Sequence, residues 1–493
     1  MTAPFRTLPA AALLALIAGT AAAERTDLTI ALQLEPPHLD PTSAAAGAID
    51  SVLYANVFEG LTRFTESGAI VPALARSWET ADDGLAWTFH LAQGVTFHDG
   101  TAFDAEDVKF TLDRARSEGS VNAQKALFEG IESVEVVNPQ TVVLHLAQPD
   151  GNLLFNLAWG DAVMVAPETV AGIKTAPVGT GPFRFSDWRQ GDSIVLEAYD
   201  SYWGEAPALN RATFRFISDP TAAFAAVMAQ DVDAFAGFPA PETLPQFEAD
   251  PRFQVLVGTT EGETILAMNN ARAPFDDVRV REAVAHAIDR QAVIDGAMEG
   301  LGIPIGTHFA PHNPDYEDLT ALSIYDPERS KALLAEAGLA EGFTTTLKLP
   351  PPSYARRGGE IIAAQLRAVG IETEVQNIEW AQWLEEVFRG KDFGLTIVSH
   401  TEPFDIGIYG REDYYFGYGK PEFRDLMDRL AATADPSDRT ALLHEAQEMI
   451  AHDFVNGYLF QLAYPTVADA RLRGLWTNAP TQATDLTGVT WSE

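Results

Sequence analysis

Apolar and polar positions alternate over Asp27-Leu-Thr-Ile-Ala-Leu-Gln-Leu34, which predicts a strand. Glu35-Pro36-Pro37 must leave the sheet, because proline offers no ladder donor. Ile49, Val52, Leu53, Val57 and Leu61 recur at helical spacing and predict a helix over 49–62. Short strands follow at Trp87–Leu91, Val134–Val137 and Thr141–Leu146. Between the first two lies a helical pattern that opens at Asp104, a good N-cap, with more acids in its first turn to suit the helix dipole. Strands and helices mix here without a strict β-α-β rhythm, so the first half reads as mixed α+β. Ser193–Tyr199 reads as a strand and Ala222–Met228 as a helix.

The rhythm changes near residue 265. Ile265–Asn269 is a predicted strand, and Asp277 to Met298 reads as one long amphipathic helix. Asp326-Pro327 opens the next helix and Gly338 closes it. A strand at Thr344–Leu349, a helix at Arg356–Val369, a strand at Glu372–Asn377, a helix at Trp380–Phe388 and a strand at Leu395–Ser399 then alternate. That is the signature of a compact α/β unit. Asp435-Pro436 opens a helix over 437–452, and the tail from Thr466 is expected to dock back onto the first half. The expected organisation is two lobes: 24–265 plus 466–493, with an extra subdomain over about 60–180, and 266–465.

The extreme N-terminus is a separate matter. Arg6 is the only charge before Glu24, Leu8 to Ala22 is Ala/Leu/Ile-rich, and Ala21-Ala22-Ala23 offers a small-residue cleavage site. This predicts a secretory signal peptide over 1–23 and export to the periplasm. The apolar run is shorter than the ~20 residues a membrane span needs. The chain of 493 residues carries 33 basic and 70 acidic side chains, net −37, so nucleic acid and anionic membrane surfaces are poor partners. It contains no cysteine, which excludes disulfides, thiolate metal sites and thiol nucleophiles.

Catalytic motifs are not found: no G-x-S-x-G, S-x-x-K, H-E-x-x-H, P-loop or G-x-G-x-x-G occurs. An exported hydrolase would need such a nucleophile or metal constellation. Gly179-Thr-Gly181 runs into Pro182 and reads as a turn, not a phosphate cradle. His308 and His312 flank Pro311 in a predicted loop, and their spacing reads as chance. His38, His90, His98 and His145 read as structural.

Several blocks then occur in an informative order: Val57-Phe-Glu-Gly-Leu61, Pro72-Ala-Leu-Ala-Arg-Ser-Trp78, Gly94-Val-Thr-Phe-His-Asp-Gly100, Gly179-Thr-Gly-Pro-Phe183, and Pro274-Phe-Asp-Asp-Val-Arg-Val-Arg-Glu-Ala283 leading to Ala287-Ile-Asp-Arg290. In these the chain resembles the extracytoplasmic solute-binding proteins of ABC importers, family 5, the peptide/nickel type. The resemblance implies an α/β bilobal periplasmic-binding-protein fold (type II, cluster C). Two crossovers near 262–270 and 462–470 would join the lobes. It implies a monomeric receptor that encloses a solute and delivers it to a membrane permease with its ATPases, without catalysis, cofactor or resident metal.

A bound peptide has a free ammonium and a free carboxylate, and burying either unpaired is costly. Pro352-Ser-Tyr-Ala-Arg356-Arg357 resembles the dipeptide-binding branch, where an arginine at this place clamps the ligand carboxylate. Ser399-His400-Thr-Glu402-Pro-Phe-Asp405 leaves the end of a strand, where α/β sheets place ligands. The resemblance puts Glu402 at the amine-binding place and Asp405 at a second acidic place, with His400 lacking a clear counterpart. Trp380 and the aromatic run Tyr414-Tyr415-Phe416-Gly417-Tyr418 are candidate pocket walls. The leading ligand is a short peptide or related zwitterion. The alternatives are a nickel chelate held by His400, an opine-like compound or an oligosaccharide. A chaperone-like envelope protein would have a cleft blocked by side chains.

Overall fold

A computed structural model describes residues 25–43, 46–401 and 405–492. The expected signal peptide and Glu402 lie outside the described residues.

The architecture is mixed α/β and bilobal. One 11-stranded sheet runs through both lobes. On the second-lobe side it contains Ile371–Asn377, Phe343–Leu349 and Leu395–His400; on the first-lobe side Ala234–Phe235, Asp27–Leu32, Arg211–Phe216, Ser193–Ala198 and Phe183–Arg189. Two long antiparallel strands, Phe253–Met268 and Asn456–Asp469, join the halves. Their register shifts between Thr259 and Glu263. Before the shift, Phe253–Thr259 pairs with Ala463–Asp469; after it, Glu263–Met268 also pairs with Leu395–His400 of the second lobe. The strands change partners between Thr259 and Glu263.

Buried side chains follow this division. Leu28, Ile30, Phe58, Phe214, Leu486 and Trp491 share one core, so the C-terminal tail does dock on the first half. A second core, including Phe89, Phe97, Val108 and Leu144, fills the space between a four-stranded sheet, Ala75–Thr80 to Ile131–Asn138, and the helix Ala105–Arg116. The Asp104 carboxylate caps that helix as expected, accepting from the backbone of Glu106. Two further cores lie on opposite faces of the second-lobe strands, because Leu266 and Met268 point one way and Ile265 and Ala267 the other.

Two helices are shorter than the pattern predicts. The first ends at Leu53, since Tyr54 is extended and Ala55 has φ 59°, so Val57 and Leu61 are buried from a loop. The long helix over 277–298 is two, Val278–His286 and Arg290–Met298. Asp289 breaks it by capping the second, accepting from Ala292 N.

The first-lobe sequence blocks converge on one knot. Val57 and Asn56 carbonyls lie so close to Gly179 and Gly181 that a Cβ would sit 2.0 and 2.4 Å from them. Glu59 accepts hydrogen bonds from Thr180 Oγ1, Tyr202 Oη and Trp203 Nε1, each at 2.9 Å. The His98 ring bridges the same loop, through Gly179 N at 3.3 Å and the Gly181 carbonyl at 2.9 Å. The buried Arg281 gives its donors to the carbonyls of Phe275, Asp453 and Phe454. These residues hold the fold.

His98 is held neutral, with burial pushing its pKa down to about 4 despite the Gly181 hydrogen bond. The unfolded chain, near 6.5, takes up that proton first, so stability is lost as pH falls from about 6.5 towards 4. Urea melts at pH 7 and 4.5 should show His98→Asn losing about 2 kcal/mol less over that interval than the unsubstituted chain. Equal losses would exclude this role.

Candidate functional site

A cavity of about 560 Å³ lies where the lobes meet the crossover strands. Its size falls within the ~300–1,000 Å³ typical of small-molecule sites. The first lobe supplies Gln33 and Leu34, which follow the strand Asp27–Leu32, and Asp50 and Ser51 from the helix Gly47–Leu53. The strand ends at Leu32, two residues before the predicted end, and Glu35 Oε1 fixes the exit by accepting from Trp188 Nε1 at 2.9 Å. Trp159 and Asp161, at and after the start of a one-turn helix Gly160–Ala162, complete that wall. The crossover strands supply Thr260, Glu261, Gly262, Leu462 and Tyr464, and the second lobe Thr401. The tail closes one side with Ala479 to Ala483 and is tied to the crossover by Ala479 N donating to Thr259 O at 2.8 Å.

Among the described residues the lining contains three carboxylates, Asp50, Asp161 and Glu261, and no lysine, arginine or histidine. Glu261 already has a partner: His312 Nε2 lies 2.7 Å away, and His312 Nδ1 contacts Thr259 Oγ1 at 2.7 Å. Asp50 and Asp161 each have an enclosed Oδ1 without a hydrogen-bond partner. Burial pushes the Asp161 pKa up to about 7, with Asp40 adding to it. Burial, then Asp161, pushes Asp50 well above the usual carboxylate range.

Behind Glu261 and Thr401 sits a second polar layer. Asp405 lies between His308 Nε2 at 2.6 Å and His400 Nδ1 at 3.2 Å. The far nitrogen of each ring meets a tyrosine: Tyr409 Oη at 3.1 Å from His308, Tyr415 Oη at 3.2 Å from His400. Both rings are satisfied if they donate to Asp405 and accept from the tyrosines. Burial would push the Asp405 pKa up, but His308 and then His400 hold it well below the usual range. One ligand atom from each of His308, His400 and Asp405 lies within 4.8 Å of the others, a spacing a metal ion could use. Here the three are engaged with each other and the two tyrosines, so the set is closed on itself. Glu263, buried beside them, is pushed well above the usual range by burial, then Glu261 and Asp405.

The residues singled out by sequence are therefore distributed over two places. His400, Asp405, Tyr414 and Tyr415 come together, but in the second lobe's interior, with Tyr415 against Trp383, Phe388 and Phe393. The tyrosine run is core packing, because its rings face the buried side of the strand Leu395–His400. Arg356 and Arg357 stand away from the cavity lining. The helix Ser353–Ala368 begins earlier than the pattern predicts, which puts both on its first turns. Arg356 donates to the Ile378 carbonyl at 3.3 Å and to Glu379 at 3.0 Å, and Arg357 meets Glu299 at 3.3 Å. Trp380 is 40% exposed and lies edge-on to Trp383. His308 and His312, expected as chance neighbours in a loop, each pair with a buried carboxylate.

Asp50, Asp161, Trp159 and Glu261 were not singled out by sequence. A signal for Asp161 existed: it is a lone acid inside the apolar stretch Leu157 to Ala166, where an ionised side chain needs a reason.

Comparison with known proteins agrees with the architecture. The family described as bacterial extracellular solute-binding proteins, family 5 Middle, matches residues 69–420. A glutathione-binding protein of Pectobacterium atrosepticum is 32% identical over 477 residues, 92% of each chain. Heme-binding protein A of Haemophilus influenzae is 32% identical over 370 residues, 68% of this chain and 67% of the relative. The dipeptide-binding protein of Escherichia coli is 28% identical over 473 residues, 85% of each. Among solved structures, HbpA2 from Haemophilus parasuis superposes with a TM-score of 0.85 at 24% identity, covering 95% of this chain and all of that one. Among the described residues no helix is long and apolar enough to cross a membrane. With the family match spanning most of the chain and relatives aligned along its length, this protein belongs to the bacterial extracellular solute-binding proteins of family 5, the substrate-binding components of ABC transporters.

Proposed function

We propose that this chain is an exported receptor that captures a short peptide or related zwitterion between its lobes and delivers it to a membrane permease. The observation that carries this is the cavity of about 560 Å³ walled by both lobes, the crossover strands and the tail. Two strands make the connection, so closure is a rotation about the register shift near Thr260–Gly262, where the strands change partners. Gly262 suits that point: a Cβ there would lie 2.7 Å from Leu462. The names of the dipeptide- and glutathione-binding relatives favour a peptide-like solute. The Asp405 layer favours no metal chelate over a peptide, because its donors already satisfy one another.

A thermal-shift screen of the chain from Glu24 onward tests this. The panel holds di- to pentapeptides, opine-like acids, oligosaccharides and nickel chelates. A ligand at about 100 times Kd adds roughly 2.7 kcal/mol, a readily measured shift. The expected result is a shift with free-ended peptides. A shift only with another class keeps the receptor and overturns the peptide. Arg356→Ala and Arg357→Ala decide the carboxylate clamp: if closure brings either to the ligand, affinity falls at least tenfold, and unchanged affinity in both removes the clamp.

A further inference from the structure

The receptor reading leaves one wall of the cavity chemically incomplete. Asp161 is 4% exposed, and its Oδ1 has no partner. Asp50 is half-buried as a residue, yet its Oδ1 is likewise enclosed and unpartnered. The two approach each other across Gly160: a Cβ on Gly160 would sit 2.4 Å from Asp50 Oδ1, so only glycine admits the carboxylate there. The indole Nε1 of Trp159, on the same wall, is an enclosed donor without an acceptor. Buried polar atoms in a folded protein are ordinarily paired, and an unsatisfied one costs about 1–3 kcal/mol. Three such atoms on one wall, two from the turn Trp159–Asp161 and one from the facing helix Gly47–Leu53, set two carboxyl oxygens beside one donor.

Neighbouring cations do not complete it. Arg114 donates to Thr42 at 2.7 Å and lies 3.9 Å from Asp40; Arg63 pairs with Asp485 at 3.2 Å. The third acid of the lining, Glu261, is served by His312. Among the described residues nothing supplies the missing group, which leaves it to the solute. Its chemistry is fixed by the pattern: a cation with N–H donors for the two carboxylates, adjacent to an oxygen acceptor for the indole.

We propose that Asp50, Asp161 and Trp159 form a first-lobe subsite for an organic ammonium or guanidinium next to a carbonyl, as at the amino end of a peptide. This rests on the receptor reading and narrows it: solutes whose only charges are negative are poor ligands. The same cation chemistry is offered by an α-ammonium and by a lysine or arginine side chain, and the two sources are separable by acetylation.

The test is a thermal-shift and calorimetry series on the unsubstituted chain, Asp161→Asn and Asp50→Asn. The probes are Ala-Ala, Ala-Ala-Ala, Lys-Ala and Arg-Ala with free ends, the same four N-acetylated, the four C-amidated, reduced glutathione, citrate and maltotriose. Both substitutions are near-isosteric, and the melting temperature of each unliganded variant verifies folding. The expected result is that free-amino probes shift the unsubstituted chain and each Asp→Asn weakens binding at least tenfold. Loss on acetylation of Ala-Ala and Lys-Ala alike assigns the α-ammonium; retention by acetylated Lys-Ala and Arg-Ala assigns the side chain. The subsite is overturned if no cation-bearing probe shifts the unsubstituted chain, or if both variants bind such a probe as tightly as the unsubstituted chain does. Citrate or maltotriose shifting all three proteins equally would do so too, while leaving the receptor intact. The receptor reading itself fails only if no solute of any class binds.

Discussion

Glu59→Ala should destabilise the unliganded chain by about 3–5 kcal/mol, because it strands three donors at once. The Glu59 carboxylate is 7% exposed and accepts from Thr180, Tyr202 and Trp203. Burial pushes its pKa up, and the three hydrogen bonds oppose that push. Thr180 is fully buried and cannot recruit water in place of the carboxylate. The Trp203 ring is also held from its face by Arg76, at 4.6 Å, so the indole is not free to turn away. Urea unfolding followed by tryptophan fluorescence reads the loss. Glu59→Gln keeps the volume and one good acceptor, and its cost should be about half. Glu59 does not line the cavity, so ligand affinity per folded molecule should be unchanged in both variants. A cost below about 1 kcal/mol for Glu59→Ala would mean that the knot of sequence blocks is not held together by this carboxylate.

That knot explains how much could be read from sequence. Alternation and helical spacing mark strands and helices where one face is buried against the sheet, as in Thr141–Leu146 or the helix Pro436–His452. They fail where a local cap overrides the period: Asp289 starts a new helix inside a continuous apolar stripe. They fail again where apolar residues are buried from a loop, as Val57 and Leu61 are. The family blocks placed the fold, yet their polar side chains Glu59, His98 and Arg281 serve hydrogen bonds inside it. The candidate site was harder to read because its partners are far apart in sequence. Asp405 meets His308, which is 97 residues away, and Asp50 meets the turn at Gly160 only after the intervening subdomain has folded back. Long-range pairing of this kind leaves no period in the chain. The arginines read as standing just before a helix, but the helix starts at Ser353 and turns Arg356 towards the carbonyl of Ile378.

Asp161→Asn should make the unliganded protein more stable, by up to about 4 kcal/mol at pH 8, while costing it its ligand. The folded-state pKa of Asp161 is raised to about 7 from 3.8, so the folded chain holds a proton that the unfolded chain gives up. Below about pH 4 both states are protonated and the acid is neutral to stability. As pH climbs from 4 to 7 the unfolded state ionises freely and the folded state does not, so stability drains away across that window and levels off above it. The groups that face Asp161 make this worse: Asp50 across Gly160 and Asp40 are acids, and Arg114, the nearest cation to Asp40, stands 3.9 Å from that residue. An amide in place of the carboxylate removes the ionisation cost and can donate to Asp50. The gain should be near zero at pH 4, grow to pH 7 and stay flat beyond, a profile that paired urea melts at pH 4, 6 and 8 would trace. A carboxylate kept for the fold behaves in the opposite way, and its amide would melt earlier at every pH. That outcome would remove Asp161 from the binding wall. A stabilised variant that no longer takes up solute is what a receptor shows when its binding acid is left buried for a cation that arrives only with the ligand.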